Sequence, residues 1–82
     1  MTRQEIVEFY EDDEMLFADG FDDCILGVTS NNIVVYDTDK MITSLMNQGM
    51  NSEEALDYWD FNIENAYVGN RTPIYMTIFK ED

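Results

Sequence analysis

Four carboxylates, Glu53, Asp57, Asp60 and Glu64, recur at steps of four, three and four residues. At ~100° per residue this spacing gathers them within ~60° of one another on a helix, rising ~6, ~4.5 and ~6 Å along the axis at successive steps. Side-chain flexibility brings those intervals near the several-ångström spacing of phosphates along a nucleic-acid strand. Such a ridge offers Lys and Arg side chains the charge-assisted pairing they make with phosphate. Phe61 falls ~80° from Glu53 on the same helical wheel, beside the ridge and off the apolar arc. Buried, it would pack under the first helix or a loop; exposed among carboxylates, it would make a good interface anchor. A second run, Glu11-Asp12-Asp13-Glu14, sets four like charges side by side, which repel one another and favour a solvated turn. The candidate partner-binding residues are therefore Glu53, Asp57, Asp60, Glu64 and Phe61, with Glu11, Asp12, Asp13 and Glu14. Asp22, Asp23, Asp37 and Asp39 add further charge at the element ends.

Other chemistries find little support. Without histidine, no Ser-His-Asp or Cys-His arrangement can be assembled. Cys24 stands in an apolar stretch, where a thiol is inert. With eighteen Asp and Glu in the chain some acids always adjoin, so adjacency alone does not mark a general acid or base. Asp37-Thr38-Asp39 has a D-x-D spacing, and Asp60-Phe61-Asn62-Ile63-Glu64 begins like a calcium loop. That loop then fails, because Asn65 takes the sixth, glycine position and Arg71 takes the twelfth, where a bidentate Glu is required. Asp37 is better used as a helix N-cap. The sequence predicts a non-catalytic protein with no catalytic residues, no metal site and no cofactor.

The charge balance narrows the partners. Four Lys plus Arg against eighteen Asp plus Glu give a formal charge of −14 over 82 residues, enough chain for a single domain. Only Arg3, Lys40, Arg71 and Lys80 could neutralise a phosphate backbone, so direct nucleic-acid binding and anionic membranes are disfavoured. A hydrophobic share of 45%, including 13% aromatic residues, is too rich for a disordered acidic tail. The Met1-Thr2-Arg3-Gln4-Glu5 start lacks a signal-peptide core, and a lone cysteine forms no internal disulfide. Both point to a reducing, cytoplasmic setting.

The elements that must position these residues are legible from caps and periodicity. Thr2 and Glu5 form a capping box for a short helix over 3–10. Met15-Leu16-Phe17-Ala18 docks onto a core before Asp19-Gly20 turns the chain. Residues 24–28 and 33–36 form a hairpin about the turn Thr29-Ser30-Asn31-Asn32. A helix over 38–48, capped by Asp37 or Thr38, buries Ile42, Leu45 and Met46 and ends at Gly49. A second capping box, Asn51 with Glu54, opens a helix over 52–64 whose apolar arc is Ala55, Leu56, Trp59 and Ile63, with Met50 as a hydrophobic staple. Asn62 borders the buried face, where its amide can satisfy loop carbonyls, and Asn65 caps the end in the left-handed conformation. Tyr67, with Gly69 and Pro73 after it, covers the sheet edge, and residues 74–79 form a last strand. The predicted class is α+β: a small antiparallel sheet, hairpin plus C-terminal strand, covered on one face by two helices, with a short N-terminal helix.

Several segments carry a resemblance: Asp19-Gly20-Phe21-Asp22, Val35-Tyr36-Asp37, Gly49-Met50, Glu53-Glu54-Ala55, Phe61-Asn62, Ala66-Tyr67-Val68-Gly69 and Thr72-Pro73-Ile74. In this order, over residues 14–76, the chain resembles a widespread group of small proteins encoded by tailed phages and prophages. The resemblance implies a phage origin and a shared fold, with no activity attached. Asn65 stands where such proteins often have Gly, Asn70 where an acid is common, and Trp59 where the apolar residue is smaller. Resemblance and charge together predict a phage-encoded inhibitor in the host cytoplasm that binds a basic, nucleic-acid-acting host protein by nucleic-acid mimicry. The alternative is a small structural or assembly adaptor, and both leave self-association into a homo-oligomer open.

Overall fold

Short-range hydrogen bonding starts each helix where the sequence places it. The structure, a computed structural model, describes residues 2–79; of the four cationic residues, Lys80 lies outside them. Helix α1 (Arg3–Tyr10) opens on the Thr2–Glu5 capping box and ends at Glu11, whose φ of 50° puts a non-glycine residue in the left-handed region. The chain turns at Ala18–Phe21 around Gly20, at φ 88°, and passes through one 3-10 turn (Asp22–Cys24) into strand β1 (Ile25–Val28). Strand β2 (Val34–Asp37) returns antiparallel, with a bulge between Ile25 and Gly27. Asp37 is both the last residue of β2 and the N-cap of α2 (Thr38–Asn47), its side chain accepting from the Lys40 amide at 3.2 Å.

Helix α2 ends in a Schellman pair of hydrogen bonds, Gly49 N–H to Met46 C=O at 3.0 Å and Met50 N–H to Leu45 C=O at 3.4 Å. Gly49 is at φ 109°, a backbone conformation that favours glycine. Helix α3 (Ser52–Trp59) follows on the Asn51–Glu54 capping box and widens into a π turn over Asp60–Glu64. Connection 65–73 then leads to strand β3 (Ile74–Met76).

The class and the set of elements are those the sequence predicts, but the sheet is mixed. Its order is β1-β2-β3, and β3 lies parallel to β2, with Val35, Tyr36 and Asp37 opposite Ile74, Tyr75 and Met76. The connection allows this. A nine-residue segment reaches ~30 Å when extended, far enough to return the chain to the end where β2 begins before β3 starts. The paired strand is also shorter than the 74–79 run, because β2 ends at Asp37 and gives Thr77–Phe79 no ladder to join.

Among the described residues twelve apolar side chains make one core, in which Ile6, Val34, Tyr36, Met41 and Ala55 are fully buried. Tyr36 and Tyr75 are register partners and so share a sheet face, and the Trp59 ring meets Tyr75 edge-on at 5.8 Å. From α3 and the π turn that continues it the core receives the stripe Ala55, Trp59 and Ile63. Leu56, expected on the same arc, is 53% exposed, since it falls at the edge of a contact only one stripe wide. Met46 and Ile42 of α2 lie outside the core proper, Met46 exposed and Ile42 half-buried, while Met41 takes the central place. No helix among the described residues is long and apolar enough to cross a membrane.

Candidate functional site

The ridge residues sit where helical spacing sends them. Glu53, Asp57, Asp60 and Glu64 are all exposed. Their arrangement bends at Asp60, where the π turn replaces the α-helical bond: Asn65 N–H reaches back five residues to Asp60 C=O at 3.3 Å. A wider turn advances by a smaller angle per residue, so Glu64 drops behind the line set by Glu53, Asp57 and Asp60. Phe61 steps closer to that line for the same reason. It is 81% exposed, so it does not pack under the first helix or a loop.

Two asparagines close the helix by a route the sequence did not suggest. Asn65 has φ −86°, outside the left-handed region, and its Nδ2 instead donates to Asp60 C=O at 2.8 Å. Asn62 is exposed and not at the border of the buried face, and its Nδ2 donates to the helical Tyr58 C=O at 3.0 Å and not to a loop carbonyl. Side-chain amides thus take up helix-end carbonyls that a glycine cap would otherwise serve. Tyr67, expected to cover the sheet edge, is 75% exposed.

The second acidic run divides. Glu11, Asp13 and Glu14 are exposed, but Asp12 is an internal anchor and not a free charge. Its Oδ2 accepts from Arg71 Nη1 at 2.6 Å and from Asn32 Nδ2 at 2.9 Å, and its Oδ1 accepts from Glu14 N–H at 2.9 Å. The Arg71 guanidinium first, then Asn32 and the Glu14 amide, hold the Asp12 carboxyl down at about 2. This one side chain ties the end of α1, the hairpin turn and the approach to β3, so it leaves the set of partner-binding candidates. Nothing within a few residues of Asp12 announces this, because Arg71 is 59 positions away.

Two of the cations are engaged in ion pairs. Arg71 is held by Asp12, and Arg3 pairs with Asp19 at 2.9 Å while its guanidinium stacks over the Phe17 ring at 4.6 Å. These are the two ion pairs among the described residues, and no ridge carboxylate belongs to either. Among the described residues the ridge carboxylates of α3 and its π turn therefore take part in no ion pair.

Polar groups inside the core are few. Tyr36, fully buried, accepts the Ala18 amide on its hydroxyl at 2.7 Å, and burial pushes its phenol up to about 12. Burial, with the neighbouring Asp23 and Asp37, pushes the Cys24 thiol up as well, away from the nucleophilic thiolate. The Trp59 indole N–H is buried with no hydrogen-bond partner among the described residues. Among those residues no three His, Cys, Asp or Glu side chains converge as a metal-ligand set.

Sequence reasoning missed a trough of about 510 Å³ whose lining includes Tyr58, Asn62, Ala66, Val68 and Tyr75 and none of the four ridge carboxylates. These residues come from α3, the π turn, connection 65–73 and β3. The only hint in the sequence was the punctuation of that connection by Gly69 and Pro73. No protein-family model, curated protein or solved structure matches the chain.

Proposed function

We propose that the protein is a non-catalytic inhibitor that binds a basic, nucleic-acid-acting protein through the acidic face of α3, in place of nucleic acid. The observation that carries this reading is the exposed charge of that face, which enters no ion pair among the described residues. Glu53, Asp57 and Asp60 line up exposed, with Phe61 beside them, while Arg3 and Arg71 are engaged in pairs elsewhere. Charge of one sign on a small fold destabilises the compact state, yet it steers a basic partner and pairs with its Lys and Arg side chains. Phe61 supplies the apolar anchor such a contact needs at its centre. The resemblance to small proteins of tailed phages makes the partner a host protein.

Affinity purification of host proteins on the immobilised protein, with release by duplex DNA, tests the reading. The retained protein is expected to elute with DNA and with rising salt. Replacing Glu53, Asp57, Asp60 and Glu64 by Gln or Asn is expected to weaken its binding by about one and a half to three orders of magnitude, from ~0.5 to 1 kcal/mol at each of four rim pairs. Unchanged affinity in that variant would remove the ridge as the site. The second reading, an assembly adaptor, is favoured by the apolar surface that remains exposed, including Phe9 at 78% and Phe79 at 93%. Contacts of that kind would survive high salt, so the salt dependence of the retained partner separates the two.

A further inference from the structure

Asp37 is the one charged side chain buried among the described residues, at 8% exposure. Its Oδ1 accepts from the Lys40 amide at 3.2 Å, as the N-cap of α2. Its Oδ2 has no hydrogen-bond partner among the described residues, and no Arg or Lys there lies within ion-pair distance of either oxygen. A buried carboxylate is costly unless donors or a cation meet it, so the unmatched oxygen is left for a positive group from outside.

Such a group can arrive through a second cleft, of about 500 Å³, which Asp37 lines at the head of α2. Lys40, Ser44 and Asn47 recur at helical spacing and give it one polar wall, while Asp23 joins it from the 3-10 turn and Asp39 from the first turn of α2. Burial first, then Asp23 and Asp37, push the Cys24 thiol up and Lys40 opposes them, so these three charges gather around one side chain. Phe21 and Ile78 supply an apolar wall.

The charge that selects the occupant is therefore at the cleft itself: three carboxylates against one ammonium, with Asp23 and Asp39 exposed and in no ion pair among the described residues. No ridge carboxylate lines it. A bare metal ion does not suit it, because no three His, Cys, Asp or Glu among the described residues converge as a ligand set. Separated carboxylates beside an apolar wall match a methylene chain that carries amines at intervals.

We infer that the cleft binds a linear aliphatic polyamine, one ammonium meeting Asp37 Oδ2, a second meeting Asp23 or Asp39, and the methylene chain lying on Phe21 and Ile78. The inference is independent of the α3 ridge and holds whether or not that face binds a protein.

The test is isothermal titration calorimetry of the full-length protein with spermidine, and with N-acetyl-lysine amide and Mg²⁺ at matched ionic strength. Asp37→Asn removes the charge and keeps a residue that caps a helix as well as Asp does; circular dichroism verifies the fold of each variant. Spermidine is expected to saturate one site and to bind about tenfold or more tightly than N-acetyl-lysine amide. Asp37→Asn should weaken it about tenfold or more, and Asp23→Asn/Asp39→Asn about threefold to tenfold. Lys40→Gln should tighten it a few-fold, the sign a cation site requires. Glu53→Gln/Asp57→Asn/Asp60→Asn/Glu64→Gln, which lowers the net charge away from the cleft, should leave the affinity within about threefold at ~0.1 M salt.

Equal losses in the ridge and Asp37 variants would reduce the binding to general attraction by an acidic surface and overturn the site. N-acetyl-lysine amide binding as tightly as spermidine would overturn the polyamine in favour of a single-cation pocket, and Mg²⁺ displacing spermidine at equal concentration would overturn it in favour of a metal. Binding seen only in Lys80→Gln would make the chain's own lysine the occupant and overturn an outside ligand. Absence of saturable binding in every form would overturn the inference outright.

Discussion

Asp12 shows how one carboxylate in a strongly acidic chain can act against the trend of the rest. Its pKa, lowered from 3.8 to about 2 by Arg71, Asn32 and the Glu14 amide, means that its ionised form stabilises the fold. That contribution is complete above the unfolded value and is lost as pH falls from about 4 towards 2. Acid unfolding followed by circular dichroism should therefore show a transition in that window, and Asp12→Asn should flatten it. Tyr36→Phe deletes the acceptor of the Ala18 amide in a fully buried place and is expected to cost ~1–3 kcal/mol in urea unfolding, mostly for the orphaned N–H. Trp59 presents the reverse case, a donor already orphaned. Trp59→Ala should cost ~3–5 kcal/mol through cavity formation, whereas Trp59→Phe should cost far less, because the unpaired Nε1 leaves together with the lost volume. As the chain's one tryptophan, it should report a blue-shifted native emission; a water-like maximum would contradict its burial.

The helices and strands of this chain are short, and their ends decide much of their stability. Helix α1 has eight residues and stops on a glutamate at φ 50°, a conformation that costs an L-residue ~1–2 kcal/mol and that asparagine tolerates better. Glu11→Asn should therefore raise stability by ~0.5–1 kcal/mol, measured as a shift in the urea midpoint at unchanged slope. The end of α3 follows a different logic. There the π turn and the Asn62 and Asn65 amides close the helix, and the same widening brings Phe61 towards the acidic line. Element ending and candidate contact surface thus share one cause, and a substitution that restores regular α-helical winding would alter both.

At the scale of the whole molecule the excess of negative charge dominates. Arg3 and Arg71 each neutralise one local partner, so repulsion among the remaining acids acts over the entire surface. Exposed charges separated by more than ~10 Å are largely screened at ~0.1 M salt, so the melting temperature should rise from low to moderate ionic strength. A flat response would mean that the acids are dispersed too widely to repel one another, and it would weaken the case for a concentrated binding face. The quadruple ridge variant should melt at or above the wild-type temperature for the same reason, which lets its loss of binding be read apart from any loss of fold.

What the sequence determined by itself is everything carried by hydrogen bonds and contacts a few residues apart. The Thr2–Glu5 and Asn51–Glu54 capping boxes, the Asp37 cap, the Gly49 helix end, the hairpin and the buried stripe Ala55, Trp59 and Ile63 all belong here. Spacing alone brings such groups together, so it also exposed Glu53, Asp57 and Asp60 on one line. Only the tertiary structure decided the rest. The direction of β3 depends on where connection 65–73 returns the chain, and no residue type encodes that. Leu56 has the right chemistry for the core, but the packed stripe of α3 is too narrow to cover it. Asp12 passed from solvated charge to anchor because Arg71 and Asn32, 59 and 20 positions away, converge on it. The trough has the same origin: its walls are distant in sequence and meet only through folding, a juxtaposition that local periodicity cannot express.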